Sequence, residues 1–483
     1  MAFDLNEAGV FRLCDHHGTL VLPFGFSARR DRAGRFEQSP RWKKRTFRGD
    51  DPEDAERTGY FLPYIRRFLF PGGEPGAAEL PPGAACRRFL FDWSSLGEGA
   101  APPAENGTGL VGTLGGQDNQ DNLPFECRVR LGRAELLLFP FEVGFLVLEF
   151  RCEQPGATYT DLMKALGMLR MLAPWYAGQP LPVWDVGGRR FHVPQLVAHL
   201  LAEFGDGPAR PQMPLPDEPA EVRLPVKLIH DDRMMLYAYA CLDRDTCPGD
   251  MVHAEKILRK RAVFNFDRHC AQQAEQNREK GARAWQRVRW ESFAKDGGLL
   301  VAFNVDAFEE KYLGLYHRTY YFDVYLLALL QRVTLLTLYE RLSDIPGLTT
   351  GGGRGRRLLR RLRHDLLLFK NQCCFSQITL RERGLILWKK WQETLENDTL
   401  LREVNEQSQE LDSYLHAQHR ERMEWLLRLG GFLAATVPIV LGLEVLFGTA
   451  EWVADLKWIL LIALIVGTGA AASWILFRKP RMD

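Results

Sequence analysis

Read for its apolar and polar positions, the chain changes character twice. Up to about residue 300, apolar runs of strand length recur at 20–24, 86–91, 136–139, 143–150 and 234–241. Such runs, bounded by turn residues, predict strands. The segment ELLLFPFEVGFLVLEF at 135–150 places two of them around a turn bearing Pro140 and Gly144, which predicts a buried hairpin. Helical spacing takes over at 159–172 and at about 194–204. This mixture predicts an α+β protein whose first part is a mixed α/β domain over 1–304. A Gly-, Pro-, Asn- and Asp-rich stretch at 96–123 interrupts it and reads as a mobile loop.

After about residue 305 the pattern turns helical. Residues 308–342 carry a very wide apolar face, including Tyr312, Phe322, Tyr325, Leu329 and Val333. Asp323 and Arg332 bracket too short an apolar core for a membrane span, so other elements should bury this helix. The stretch IPGLTTGGGRGRR then forms a glycine hinge. It leads into a helix bearing Arg354, Arg356, Arg357, Arg360, Arg361 and Arg363. Six arginines within ten residues suit the phosphates of a nucleotide or of inner-leaflet lipid. They equally suit a solvated face paired with acids on a neighbouring helix. From Leu385 to Leu429 no Pro or Gly occurs, and Leu401, Val404, Ser408, Leu411 and Leu415 keep coiled-coil spacing. A continuous helix there would make a stalk of roughly 65 Å at 1.5 Å per residue. The helical stalk is thus expected over 305–428.

The second change comes at the C-terminus. Residues 429–443 and 458–477 carry no charged side chain, and about twenty apolar residues cross a hydrocarbon layer as a helix. The first stretch reaches that length if Glu444 lies near an interface. Arg420, Arg422 and Arg428 precede the pair, and Arg478, Lys479 and Arg481 follow it. The connector at 448–457 is acidic, with Glu451 and Asp455 against Lys457. Positive-inside logic puts both ends in the cytosol and the connector outside. Trp425, Trp452, Trp458 and Trp474 suit the interfacial belts. A two-helix transmembrane hairpin over 429–477, with a basic tail at 478–483, is the expected end of the chain.

Composition narrows the function. Sixty-two basic and 61 acidic residues leave a net charge of +1, so direct nucleic-acid binding through bulk positive charge is not expected. The mean hydropathy of −0.22 excludes a polytopic membrane protein. The nine cysteines are scattered without a CxxC pair, and the N-terminus has no secretory pattern. Free thiols in a reducing compartment follow. Cys14, His16 and His17 offer metal ligands but lack a second cluster with zinc spacing; His269-Cys270 and Cys373-Cys374 lack one too. Gly107, Gly109 and Gly112 match GxGxxG, yet a Pro-Pro loop precedes them and a polar turn follows, where a dinucleotide site needs a strand and a helix.

Together, the long helix running into the first uncharged stretch, the short outside loop, the second stretch and the basic tail resemble the CorA family of magnesium channels. The resemblance covers roughly 305–483 as architecture. Its closest sequence match is Pro438 in the first stretch, about nine residues before the position of the family's Gly-Met-Asn signature. Here that position reads Leu446-Phe447-Gly448-Thr449-Ala450, so only the glycine survives. The resemblance implies a homopentamer in a bacterial inner membrane with both termini cytoplasmic. The missing asparagine removes the group that engages hydrated magnesium in the family. The large cytosolic domain is similar to CorA-like membrane effectors of bacterial antiviral defence, some of them gated by a nucleotide messenger.

Two spans cannot enclose a conducting path alone, which itself argues for self-association. In a ring, Glu444, Glu451 and Asp455 would repeat once per subunit as acidic rings, with Gly448 and Thr449 at the outer mouth. Glu444 alternatively reaches the outer headgroups. The chain is therefore expected to be a CorA-like homo-oligomeric ion channel or transporter with a ligand-sensing cytosolic domain. A divalent cation or a nucleotide messenger is the expected ligand, and the lipid bilayer and further copies of the chain are the expected partners. The alternatives are a messenger-gated effector that permeabilises the membrane, and a soluble enzyme or scaffold tethered by the hairpin. The last would draw on Asp15-His16-His17 or His230-Asp231-Asp232, neither of which forms a catalytic constellation in sequence.

Overall fold

The computed structural model describes residues 11–26, 32–72, 85–96, 109–117, 124–174, 181–186, 189–205, 224–229, 232–243, 258, 289–303, 312–343 and 353–411, with scattered positions between 413 and 459. The chain divides into two compact units, Met1–Thr337 with Gln372–Asp398, and Leu338–Asn371 with Thr399–Asp483. Residues 312–337, assigned from the sequence to the stalk segment, thus belong to the unit that holds the sheet.

The first unit is built on a twelve-stranded mixed sheet. Its strands are β1 (Leu13–Gly25), β2 (Trp42–Lys44), β3 (Arg87–Phe91), β4 (Leu110–Gln117), β5 (Pro124–Leu138) and β6 (Val143–Cys152), then β7 (Val183–Val186), β8 (Arg189–His192), β9 (Lys227–Leu228), β10 (Met235–Leu242), β11 (Arg289–Ala294) and β12 (Gly297–Phe303). The main order is β11-β12-β10-β1-β6-β5-β4-β7-β8, with β9 beside β1 and the β2–β3 pair on β5. The β10–β12 pair is parallel, and the others are antiparallel. The long strand β5 serves two partners on one edge: 124–131 pair with β4, and 135–138 pair with β3.

Strands β6 and β10 are nearly continuous apolar runs because both faces of the sheet are covered. One face packs Leu20, Leu22, Leu136, Leu148, Phe150 and Leu236 with α4 (Tyr159–Leu169) and α5 (Val193–Leu200) in a single cluster. Helix α4 starts where its sequence dictates: Thr158 and Asp161 form a capping box, each side chain bonding the other's backbone N–H. The opposite face carries the other parity of the same strands. Over it lie α2 (Pro52–Gly59), α3 (Pro63–Leu69), the start of α6 (Gly314–Ser343) and α8 (Glu382–Leu395). Ring contacts fix this layer: Phe139 on Phe68, Tyr237 on Tyr325, and Trp391 on Phe293. Helix α1 (Arg32–Gln38) sits on the α5 side through Phe36 and Phe204.

The expected hairpin is present, with Leu136 opposite Leu146 and Leu138 opposite Gly144. The expected burial of the helix at 308–342 is also found. By length and composition α6 alone among the described residues would cross a membrane, yet 78% of its most apolar stretch is buried within the protein. It is a core helix.

Two expectations are corrected. Residues 110–117, part of the expected mobile loop at 96–123, form β4. Its glycines allow close approach rather than disorder: a Cβ on Gly112 would lie 2.4 Å from the Asp185 carbonyl oxygen, and one on Gly116 would lie 2.5 Å from Met168. The helix expected to run unbroken from Leu385 ends at Leu395. Glu396 adopts a left-handed conformation with φ 54°, and the helix resumes as α9 over 397–411. The break is tertiary in origin. The Arg332 guanidinium donates to the Leu395 carbonyl, and Asn397 Nδ2 donates to the Ala328 carbonyl at 3.0 Å.

The second unit contains α7 (Gly353–Cys373) up to Asn371, the end of α6 and α9 from Thr399. Leu338, Leu342, Leu359, Leu362, Leu366, Phe369 and Val404 are buried in it. The two uncharged C-terminal stretches lie outside the described residues, apart from Gly430, Gly431 and Ile459, which are helical.

Candidate functional site

Where α6 crosses the sheet, the interior holds charge instead of hydrocarbon. Asp323, wholly buried in the first turns of α6, accepts two hydrogen bonds from Arg57 of α2, at 2.5 and 2.6 Å. Arg88 of β3, also wholly buried, lies 3.6 Å from the same carboxylate and 2.7 Å from Glu135 of β5. Arg133 stands 3.8 Å from both Glu135 and Glu149, and Arg318 of α6 lies 3.3 Å from Glu149. Four guanidinium groups thus alternate with three carboxylates between helix and sheet. The faces of Phe47 and Phe70 close one end, each within 6 Å of the Arg57 and Arg88 guanidiniums, where aromatic quadrupoles favour cations.

The electrostatics follow from burial opposed by partners. Burial alone would lower the Arg57 pKa, but Asp323 more than offsets this and raises it. For Glu135, burial pushes upward while Arg88, Arg133 and Arg57 outweigh it, so the carboxyl is held below its ordinary value. Arg57 and Glu135 are thus each shifted toward the charged form, while burial pulls the Arg133 pKa down against Glu135 and Glu149. Leaving any one without its partner inside the core would be strongly unfavourable.

Beside this network, at the π-helical turn His317–Tyr321, two histidines meet. His17 Nε2 and His317 Nδ1 share a hydrogen bond of 3.1 Å, and Tyr237 stacks on the His317 ring at 4.1 Å. Burial, then the Arg383 guanidinium, drives the His317 pKa down to about 3. Burial, then His317, drives His17 well below its ordinary value. Both rings are neutral at pH 7. Glu291 accepts from Arg383 nearby; burial raises its pKa against that pairing. Burial also raises Tyr237. The arrangement is a packed polar core in which burial favours the neutral forms of His17, His317 and Tyr237. Between the sheet and α4–α5, a cavity of about 10 Å³ is lined only by apolar groups such as Leu20, Phe150 and Trp184, which suits no polar ligand.

The residues singled out in the sequence distribute as follows. Asp15, His16 and His17 do not converge: His16 Nε2 accepts from the Cys152 N–H at 3.0 Å, Asp15 lies 3.7 Å from Arg151, and His17 turns into the core. Cys14 is exposed. Among the described residues no three His, Cys, Asp or Glu side chains are grouped to hold a metal ion. Asp232 pairs with Arg233, while His230 and Asp231 lie outside the described residues. Gly112 lies in β4 and Gly109 immediately before it, while Gly107 lies outside the described residues. Arg360, Arg361 and Arg363 are exposed on α7. The side chains of Arg354, Arg356 and Arg357 lie outside the described residues, as do Glu444, Gly448, Thr449, Glu451 and Asp455.

Sequence reasoning missed Arg57, Arg88, Glu135 and His317. The available signal was charge inside apolar runs: Glu135 opens LLLFPF, and Asp323 follows Phe322 in an otherwise apolar helix. No family model, curated protein or solved structure matches the chain. The likeness to the CorA family therefore rests on the order of elements read from the sequence.

Proposed function

We propose that the chain is a CorA-like, homo-oligomeric membrane protein that moves ions under control of its mixed α+β domain. The observation that carries this reading is the pair of uncharged stretches at 429–443 and 458–477, with arginines before and after and acids between. That pattern suits a hairpin with both ends in the cytosol. A ring of such hairpins would line its outer mouth with Glu444, Glu451 and Asp455. The absence of Met and Asn after Gly448 favours a poorly selective opening, as in an effector gated by a nucleotide messenger, over a magnesium-selective one.

Alkaline carbonate extraction and native mass spectrometry of the detergent-solubilised full chain test the reading. The expected result is retention in the membrane pellet, a five-fold assembly, and ion flux from proteoliposomes that falls in Glu444→Gln. Release by carbonate, or a monomer without flux, would refute it. A retained nucleotide would identify the controlling ligand.

A further inference from the structure

Helix α7 turns one stripe inward and the other to solvent. Leu359, Leu362, Leu366 and Phe369 recur at spacings of three and four, and all are buried. At about 100° per residue, the opposite side falls to Arg360, Arg361, His364, Leu367 and Leu368, with Arg363 on one flank. All five are exposed, Leu367 at 58%. The helix has one acid, Asp365, and it sits on the flank, 3.9 Å from Arg341. The outward face is therefore basic along its middle and ends in two exposed leucines. Burying a leucine side chain stabilises a protein, so two adjacent ones left in water on a charged face call for a partner.

The two chemistries together select that partner. Guanidinium groups bind phosphate oxygens in a planar fork. Leucines gain only where hydrocarbon lies just beneath the phosphates. A nucleic acid offers the first without the second, and a net charge of +1 gives the chain no general attraction to it. An anionic bilayer offers both, which is how amphipathic helices lie in the headgroup layer. We propose that the outward face of α7 docks on an anionic bilayer surface, with its arginines on lipid phosphates and Leu367 and Leu368 among the headgroups. This contact is separate from the proposed spans and would hold for a chain attached to the membrane by this face alone.

The test places an environment-sensitive fluorescent amino acid at position 364 of the full chain. Its emission is compared on phosphatidylcholine vesicles with and without phosphatidylglycerol. The expected result is a blue shift on the anionic vesicles only, reversed by high salt. Each arginine near such a surface contributes roughly five-fold in partitioning, so Arg360→Glu with Arg361→Glu should weaken docking by at least about 25-fold. Arg360→Gln with Arg361→Gln should fall between, and because both side chains are exposed the fold should persist, which circular dichroism checks. Equal emission on both vesicles, a shift indifferent to the double reversal, or a shift produced by single-stranded RNA and not by vesicles would overturn the proposal. Carbonate extraction reports separately on the spans, so the two ideas fail independently.

Discussion

Truncating Asp323 to Ala removes the carboxylate that accepts from Arg57 at 2.5 and 2.6 Å and that faces Arg88 at 3.6 Å. The side chain is wholly buried and Arg57 is 8% exposed, so water cannot replace the lost partner. Breaking a buried pair in this way is expected to destabilise by about 3–5 kcal/mol. At roughly 2 °C per kcal/mol for a unit of this size, the melting temperature should fall about 6–10 °C. Arg57→Ala should cost less, about 3 kcal/mol, because Asp323 keeps Arg88. The decisive measurement is the double-mutant cycle, by urea unfolding of the full chain in mild detergent, followed by near-ultraviolet circular dichroism. Removing both groups leaves Arg88 with Glu135 at 2.7 Å and no new unpaired charge, so the double variant should be more stable than the sum of the singles implies, by at least about 1 kcal/mol. Additivity within about 0.5 kcal/mol would refute the claim that these groups act as a unit.

Three further outcomes follow from the same geometry. The His317 pKa of about 3 lies below that of an unfolded histidine, so unfolding takes up a proton below pH ~6.5, and the stability contributed by the neutral ring is lost as the pH falls; between pH 6.5 and 5 this amounts to about 2 kcal/mol. His17 acts in the same direction, and a melting curve against pH should flatten in His317→Phe. Gly297→Ala places a Cβ 1.7 Å from the Leu236 carbonyl at φ 142°; the parallel β10–β12 pairing should weaken by several kcal/mol, on the order of 3 or more, read as lost amide protection in β12. Glu396→Gly relieves the left-handed backbone at the break after α8 and gives up an exposed pair with Lys295 and the charge that opposes the burial-driven fall of the Arg332 pKa, so the urea midpoint should rise by an equivalent of at most about 0.5–1 kcal/mol.

Local elements were legible where one stretch of chain carried the whole signal. The β5–β6 hairpin announces itself by two apolar runs around Pro140, and the burial of α6 by an apolar face interrupted at Asp323. Strand β4 was not legible, because the glycines that resemble a loop are there for neighbours: Asp185 of β7 and Met168 of α4 approach too closely for side chains. The break at Glu396 carries no Pro or Gly and is produced by Arg332 and Asn397 reaching across the fold. The polar core was hidden for the same reason. Arg57 and Asp323 are 266 residues apart, and His17 and His317 are 300 apart. Nothing local marks either as half of a pair. The exposed arginines of α7 were legible as a charge run, but which side of the helix they take required the burial of Leu359 and Leu362.

The charged layer answers a problem that the apolarity of α6 creates. From Phe322 to Leu330 almost every residue is buried, so hydrophobic burial, which is non-directional, gives this helix little preference for one rotation or axial position over another. A slip of one turn, about 5.4 Å along the axis, would exchange one set of leucines for another at small loss. It would also carry Asp323 away from Arg57 and Arg88, and Arg318 away from Glu149, stranding several charges without water. The slipped states therefore lie many kcal/mol higher even if the paired network adds little to net stability against an apolar replacement, which is the usual balance for buried ion pairs. On this argument an apolar substitute for the whole set, such as Arg57→Met, Arg88→Met, Glu135→Leu and Asp323→Leu together, would leave the sheet folded while loosening the position of α6. Slow exchange between α6 registers in methyl spectra of that variant would support the argument, and a single set of sharp resonances would remove it.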